Sequence, residues 1–521
     1  MPKFKDYQQG QQASLFPLDI GALIPKKHLV RQINSVIDRV ETSTLAEVFS
    51  DNGASSYHPK MMLKVIIYAY STRNYSCRNI AGMLRQDITY MWLSGMQTPD
   101  FNTVNRFRSK YLKDVIEDVF TEVLIFLYEH DFIKFDDYYV DGTKLEADAG
   151  KFTHVWRKNT ERYKLAVQKR VKELMIEIET LNIEEDKLFG DKDLPELGKE
   201  SSISSGDVEN VAQSINQKLE SKKSELSRSK QITIKSKVNK LNKEKVKLEK
   251  YENQQKILGK RNSYSKTDTD ASMMRMKGTD ELRPGYNIQV SSENQFAINF
   301  SVSQNASDSV TFPEHLNKVM AKGEKFIPEN FVGDAGYGSE ENYEKLEKQE
   351  IGNYLKHQDF HRQDTKKFKE NVFHKNNLEY NENEDYFTCP NNKKLLYKET
   401  IEKKTINGFT STIRVYESEN CKGCPLKERC TKAKGNRTIQ LNRNLEKHRA
   451  KAQENLKSEK GIEFRKRRGW EIETFFGDLK HNQKYKRVRL RGIEKANLEI
   501  GYLCISYNIR KTNILINKKV A

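Results

Sequence analysis

Two short apolar runs that each end in an aspartate, Tyr138-Tyr-Val-Asp141 and Phe331-Val-Gly-Asp334, lie 193 residues apart. Short apolar runs of this kind read as buried strands. If the two strands share one sheet, the chain must leave that sheet and come back. The segment in between has a different texture. From about 160 to 260, Val171, Leu174, Ile178 and Leu181 recur at spacings of three, four and three, and Val238, Leu241 and Leu248 repeat the rhythm. That is the pattern of a coiled-coil seam. Gly190 to Gly206 carries Gly, Pro and Ser and reads as a turn. The expectation is an antiparallel helical hairpin inserted just after the first strand of a sheet domain.

The remaining chain divides into a helical start, a β-rich centre and a helical end. His58-Pro opens a segment with Met62, Val65, Ile66 and Tyr70 on one face, and Ser76 and Pro99 introduce two further helix-like stretches. In the second of these, Asp100 or Asn102 can cap a helix that exposes Asn105, Arg106 and Arg108. Short helices with a basic last member suggest a helix-turn-helix module. An ordinary bundle with solvated arginines is the alternative. Phe132 to Asp141 reads as a strand ending at the aspartate, and Phe326 to Val332 as another. Tyr286–Val290 and Phe296–Val302 form a hairpin pattern around Ser291-Ser-Glu-Asn-Gln295. Helix returns from about 470 to 512. The fold class is α/β, a mixed sheet with helices preceded by an all-α region.

Lys and Arg number 91 against 73 Asp and Glu, giving a formal charge of +18. This excess favours an anionic polymer or surface as partner, because released counterions drive binding to phosphates. No stretch reaches the roughly 20 apolar residues of a membrane span. The first residues lack the apolar core of a signal peptide. The expected location is the cytoplasm of a bacterium, at the nucleoid. The inserted hairpin would then serve as a dimerisation arm, a DNA clamp or a spacer.

Three carboxylates in these contexts suit a pair of divalent cations: Asp141, Asp334 and Glu473, the last in Glu473-Thr-Phe-Phe-Gly-Asp-Leu-Lys480. Hard cations take oxygen ligands, and two of them can activate water or a 3′-hydroxyl in phosphodiester transfer. Asp141-Gly-Thr alone is equally a turn signal. Asp334 sits in Gly-Asp-Ala-Gly-Tyr-Gly, where Tyr337 is placed to stack on a base or to fill a core gap. Glu473 and Lys480 share a helix face, so the lysine can grip a phosphate near the ion. Arg465-Lys-Arg-Arg, Arg487, Arg489 and Arg491, interleaved with aromatic residues, read as DNA contacts rather than as a merely solvated helix.

With these motifs, the chain resembles the DDE-type transposases of bacterial insertion sequences, which have an RNase H-like catalytic domain and an N-terminal helical DNA-binding domain. The resemblance runs from about residue 15 to 512, through His58-Pro, Asp141-Gly-Thr-Lys, Trp156, Thr267-Asp-Thr-Asp-Ala, Pro284-Gly-Tyr-Asn-Ile-Gln, Gly333-Asp-Ala-Gly-Tyr-Gly-Ser-Glu and Phe476-Gly-Asp-Leu-Lys. It implies that Asp141, Asp334 and Glu473 ligate two Mg²⁺ or Mn²⁺ ions and that Lys480 touches the element's terminal DNA. It also implies binding of terminal inverted repeats as at least a dimer, with DNA cleavage and strand transfer. Related transposases show Tyr, two residues, Arg, three residues, Glu, six residues, Lys. Here Phe464 replaces the tyrosine and five residues separate Arg467 from Glu473, which leaves Glu471 as a competitor for the third carboxylate.

The expected organisation is a helical DNA-binding region over 1–125 and catalytic parts over 131–159 and 261–370. The helical insertion takes 160–260, a Cys-rich insertion 371–440, and C-terminal catalytic helices 441–521. Two other functions stay open, a catalytically inactive or domesticated DNA-binding regulator and a coiled-coil protein that bundles DNA. Cys389, Cys421, Cys424 and Cys430 have the spacing of a structural Zn²⁺ site that would hold an otherwise coreless loop region together. A four-thiolate iron–sulfur cluster and unligated cysteines are the alternatives. Cys77 and Cys504 read as core fillers.

Overall fold

The computed structural model describes residues 19–41, 57–189, 203–221 and 227–519. The central sheet follows from the two aspartate-bearing strands. β1 (Asp137–Glu146) runs parallel to β7 (Asn330–Gly333), with Val140 opposite Gly333. β7 in turn pairs in parallel with β8 (Gly352–Leu355). On the other side of β1 lies β5 (Leu282–Glu293), antiparallel, and β6 (Phe296–Ser303) completes a hairpin with it. The short β4 (Ser272–Arg275) extends the outer edge of β5 beyond β6. β2 (His154–Trp156) and β3 (Ser263–Ser265) form a separate pair where the chain leaves and re-enters the sheet. Three antiparallel strands followed by two parallel ones, with helices on the faces, make an RNase H-like mixed sheet.

Local chemistry fixes this sheet. Asn294 and Gln295, both at positive φ (50° and 63°), make the two-residue turn of the β5–β6 hairpin, the geometry that matches strand twist. The Glu293 carboxylate accepts the backbone N–H groups of Lys134, Phe135 and Asp136 at 2.8–3.0 Å, pinning the entry to β1. The turn end of the hairpin is therefore tied to the entry of the strand that carries Asp141. β1 also runs five residues past Asp141, so the aspartate sits in mid-strand and not at the strand end expected from the apolar run.

The N-terminal region is helical, with helices Leu29–Arg39, Pro59–Ser71, Cys77–Gln86, Ile88–Ser94, Phe101–Arg106 and Ile116–Glu129. It shares one hydrophobic core with the sheet. The long C-terminal helix, Ile493–Lys519, joins them. Its Glu499 accepts the Tyr70 hydroxyl at 2.7 Å, its Ser506 donates to the Ile67 carbonyl at 3.1 Å, and its Asn508 bonds both backbone groups of Ala297 on β6.

Between β2 and β3 the described residues form three helices, where a two-helix hairpin was expected: Arg157–Phe189, Ser205–Ser221 and Arg228–Leu258. Val171, Ile178, Val238, Leu241 and Leu248 are buried in their common core, as the heptad pattern requires, but Val208, Val211 and Ile215 of the middle helix fill it too. The expected Leu181 contact and most of the Gly190–Gly206 turn lie outside the described residues. The Cys-rich region also differs from the expected coreless loops. It contains a five-stranded antiparallel sheet, β9 to β13 between Tyr380 and Leu441, with its own core of Phe387, Leu395, Tyr416 and Ile439. Among the described residues no helix is long and apolar enough to cross a membrane.

Candidate active site

Parallel pairing of β1 and β7 sets Asp141 beside Asp334, one residue beyond the Val140–Gly333 pair. The two carboxylates share a single guanidinium. Arg468 Nη2 lies 3.4 Å from Asp141 Oδ2 and 3.6 Å from Asp334 Oδ2. Arg468 arrives on the helix Glu459–Glu471, which packs along β7. Asp141 is 15% exposed and Asp334 38%. Burial is the largest influence on the Asp141 carboxyl and pushes its pKa up. Arg468 and Lys277 oppose the rise, and the like charge of Asp334 adds to it. Two adjacent carboxylates bridged by a side-chain cation form a site that asks for positive charge.

More basic groups ring the pair. Lys277 Nζ donates to the Gly142 carbonyl at 3.3 Å. Lys480 donates to Thr143 Oγ1 on β1, and burial followed by the nearby Lys277 lowers its pKa, with Asp141 pulling the other way. Lys356, just past β8, is likewise lowered, by burial first and then by Arg468 and Arg465. A lysine held close to carboxylates and other cations, with little water around it, suits a phosphate.

The third carboxylate stands apart from the pair. The helix carrying Arg468 ends at Glu471, Ile472 breaks it, and a new short helix starts at Glu473. Glu471 is fully buried. It pairs with Arg467 at 2.9 Å and accepts the Gln295 backbone N–H at 2.6 Å, so the β5–β6 turn holds it. Glu473 is exposed. Among the described residues no three His, Cys, Asp or Glu side chains come close enough to share an ion.

Several expected DNA contacts sit elsewhere. Tyr337 is fully buried with its hydroxyl donated to Gln289, so it fills the core and no base can reach it. Arg108 is also internal, 6% exposed, donating to the Tyr75 carbonyl at 2.8 Å. A wide turn over Phe107–Tyr111 rotates it inward from the basic face. Arg106 is exposed, as expected. Arg487 donates to the carbonyls of Ala147 and Ala149 and Arg491 to Asp148, which ties the C-terminal segment to the end of β1. Arg489 is exposed. The Thr267-Asp-Thr-Asp-Ala motif is structural. Asp268 and Asp270 accept the Gly492 and Ile493 N–H groups at the start of the last helix, and Asp268 also takes the Tyr286 hydroxyl.

Cys389, Cys421, Cys424 and Cys430 all line one small cavity of about 20 Å³. Backbone N–H groups of Lys393 and Arg437 point at the sulfurs of Cys389 and Cys421, and the Arg437 guanidinium lies 2.7 Å from that of Cys430.

Two family models match the chain. One, described as "Transposase DDE domain", covers residues 388–513, and the other, "Transposase domain (DUF772)", covers residues 18–110. Together these matches support a DDE-type transposase of the insertion-sequence kind. The first span contains Glu473, Lys480 and the cysteines, while Asp141 and Asp334 fall outside both. No curated protein and no solved structure matches the chain. Sequence reasoning missed Arg468 and Lys277 of this transposase as parts of the site. Arg468 was visible only as one member of a basic run, and nothing local marks Lys277.

Proposed function

We propose that this transposase binds the terminal inverted repeats of its element at the nucleoid and cuts and joins DNA there, using divalent cations held by Asp141, Asp334 and Glu473. The observation that carries this reading is the Asp141–Asp334 pair bridged by Arg468, a side-chain cation standing where a metal would be held. Mg²⁺ or Mn²⁺ bound there would supply Lewis acidity for water and for a 3′-hydroxyl attacking phosphorus. The protein's own groups do the rest. Lys480 and Lys277 hold phosphate oxygens beside Asp141, and Arg468 moves from the carboxylates to the phosphate as the DNA arrives. Glu473, exposed and with no side-chain hydrogen bond or ion pair among the described residues, closes on the pair. Two element ends must be joined together, so the acting species is at least a dimer.

The test uses the full chain, DNA carrying the element's own ends, and Mg²⁺ or Mn²⁺. Cleavage and strand transfer are expected, and single Asp141→Ala, Asp334→Ala or Glu473→Ala changes abolish both. Full strand transfer by one of these variants removes that residue from the site. DNA binding without cleavage by the unaltered chain would instead identify a regulator.

The four cysteines line one cavity but do not lie close enough to share an ion, so a structural Zn²⁺ there would require their side chains to close on it. Metal analysis of protein purified without chelator is expected to give one zinc per chain. Iron with visible absorbance would point to a cluster, and no metal to free thiols.

A further inference from the structure

Gly142 and Gly336 flank the two aspartates, and neither has a positive φ that would call for glycine. Space is what they provide. A Cβ on Gly142 would lie 2.4 Å from Gln289 Nε2 and 2.6 Å from Asp308 Oδ1. A Cβ on Gly336 would lie 2.9 Å from Asp334 Oδ1 and 3.3 Å from Asp308 Oδ2. Both glycines therefore clear room for the same group, the carboxylate of Asp308. It is presented by the first turn of the helix Asp308–Ala321, which packs against β5 and β6.

Asp308 is held with one oxygen engaged and one open. Its Oδ1 accepts Asn287 Nδ2 and Gln289 Nε2, both at 2.9 Å, and Gln289 in turn accepts the Tyr337 hydroxyl. Among the described residues no hydrogen bond or ion pair reaches Oδ2. Asp308 and Asp334 approach the same point, since a Cβ on Gly336 would meet an oxygen of each. A helix start accounts for an aspartate there, but not for two carboxamides reaching across from β5 to fix its oxygen, nor for two glycines that keep its path open.

We infer that Asp308 is a further acidic residue of the cation site, its free Oδ2 facing the ion held by Asp141 and Asp334. The inference rests on the proposed role of that pair. The carboxamides of Asn287 and Gln289 aim the carboxylate, and the glycines let it approach. Mg²⁺ takes few protein ligands and keeps several waters, so Oδ2 acts on the ion through one of those waters.

The experiment measures Mn²⁺ binding to the full chain without DNA, by the electron-spin-resonance signal of free Mn²⁺, with melting temperature recorded with and without the ion. Asp308→Asn keeps the shape and removes the charge. It is expected to weaken Mn²⁺ binding at least tenfold and to lose the ion-dependent rise in melting temperature. If Asp308→Asn binds like the unaltered chain while Asp141→Asn and Asp334→Asn do not, Asp308 only anchors the two carboxamides and the inference fails. If none of the three changes binding, the Asp141–Asp334 reading fails first. Should Asp308→Asn not fold, Asn287→Ala loosens Oδ1 and leaves the charge. Severalfold weaker binding then supports the inference, and unchanged binding overturns it.

Discussion

Glu471 and Glu473 stand two residues apart on opposite sides of the helix break at Ile472, one fully buried against Arg467 and the other open to solvent. Their substitutions should separate cleanly. Glu473→Gln is expected to lower strand cleavage more than a hundredfold, at the scale of losing a catalytic group, with the urea midpoint unchanged. Glu471→Gln should cost about 3 kcal/mol, the lower end for breaking a buried pair, because Arg467 keeps some solvent. Cleavage assays and urea denaturation on both variants check the assignment, and a reversal of the two phenotypes would exchange the roles.

A divalent cation bound as proposed would claim the oxygens that Arg468 now bridges. Arg468→Gln should therefore tighten Mn²⁺ binding severalfold in the absence of DNA while slowing cleavage, since the guanidinium is no longer there for the phosphate. Calorimetric titration reads the first effect and a cleavage time course the second. Unchanged affinity would mean that the arginine does not compete.

Arg106 and Arg108 predict opposite outcomes despite their proximity. Arg108 lies buried beside Tyr70 and near Glu499, so Arg108→Ala should destabilise the fold by about 3–5 kcal/mol. Arg106→Ala should leave stability unchanged and reduce the salt dependence of DNA binding by about one counterion. Binding isotherms at several salt concentrations, beside urea melts, distinguish them.

His315 supplies a pH dependence. It is enclosed by Ser291, Asn299 and Ser301, and burial, followed by the nearby Lys318 and Lys322, lowers its pKa to about 3. The unfolded chain protonates this histidine below its ordinary pKa of about 6.5 and the folded chain does not. Its contribution is complete above that value and drains away as pH falls toward 3. His315→Gln should flatten this part of the stability curve, measured by urea denaturation at stepped pH.

Much of the sheet was legible because its signals are local. The apolar runs before Asp141 and Asp334 and the Asn-Gln turn between β5 and β6 each lie within a few residues. Arg468 and Asp308 were not legible, because what matters about them is contact with residues distant in sequence. Tyr337 shows the limit of a motif, since glycines beside an aromatic residue look the same whether the ring faces solvent or core. The Cys-rich sheet was not legible because its longest strand, Lys394–Lys404, is largely exposed and mostly polar. The insertion's middle helix, Ser205–Ser221, was not legible as a separate element, because Val208, Val211 and Ile215 carry the same helical spacing as its neighbours.

The C-terminal helix gives the order of synthesis a structural meaning. Residues made last, Glu499, Tyr502 and Ser506, complete a core begun by Ile67, Tyr70 and Arg108, among the first described helices to be made. A chain interrupted before residue 493 leaves the Tyr70 hydroxyl and the Arg108 and Ile67 carbonyls without these counterparts. The N-terminal helices then face water with an open seam. Gene fragments produced as such elements decay would accordingly yield unfinished proteins, not free-standing N-terminal modules able to compete with the intact transposase.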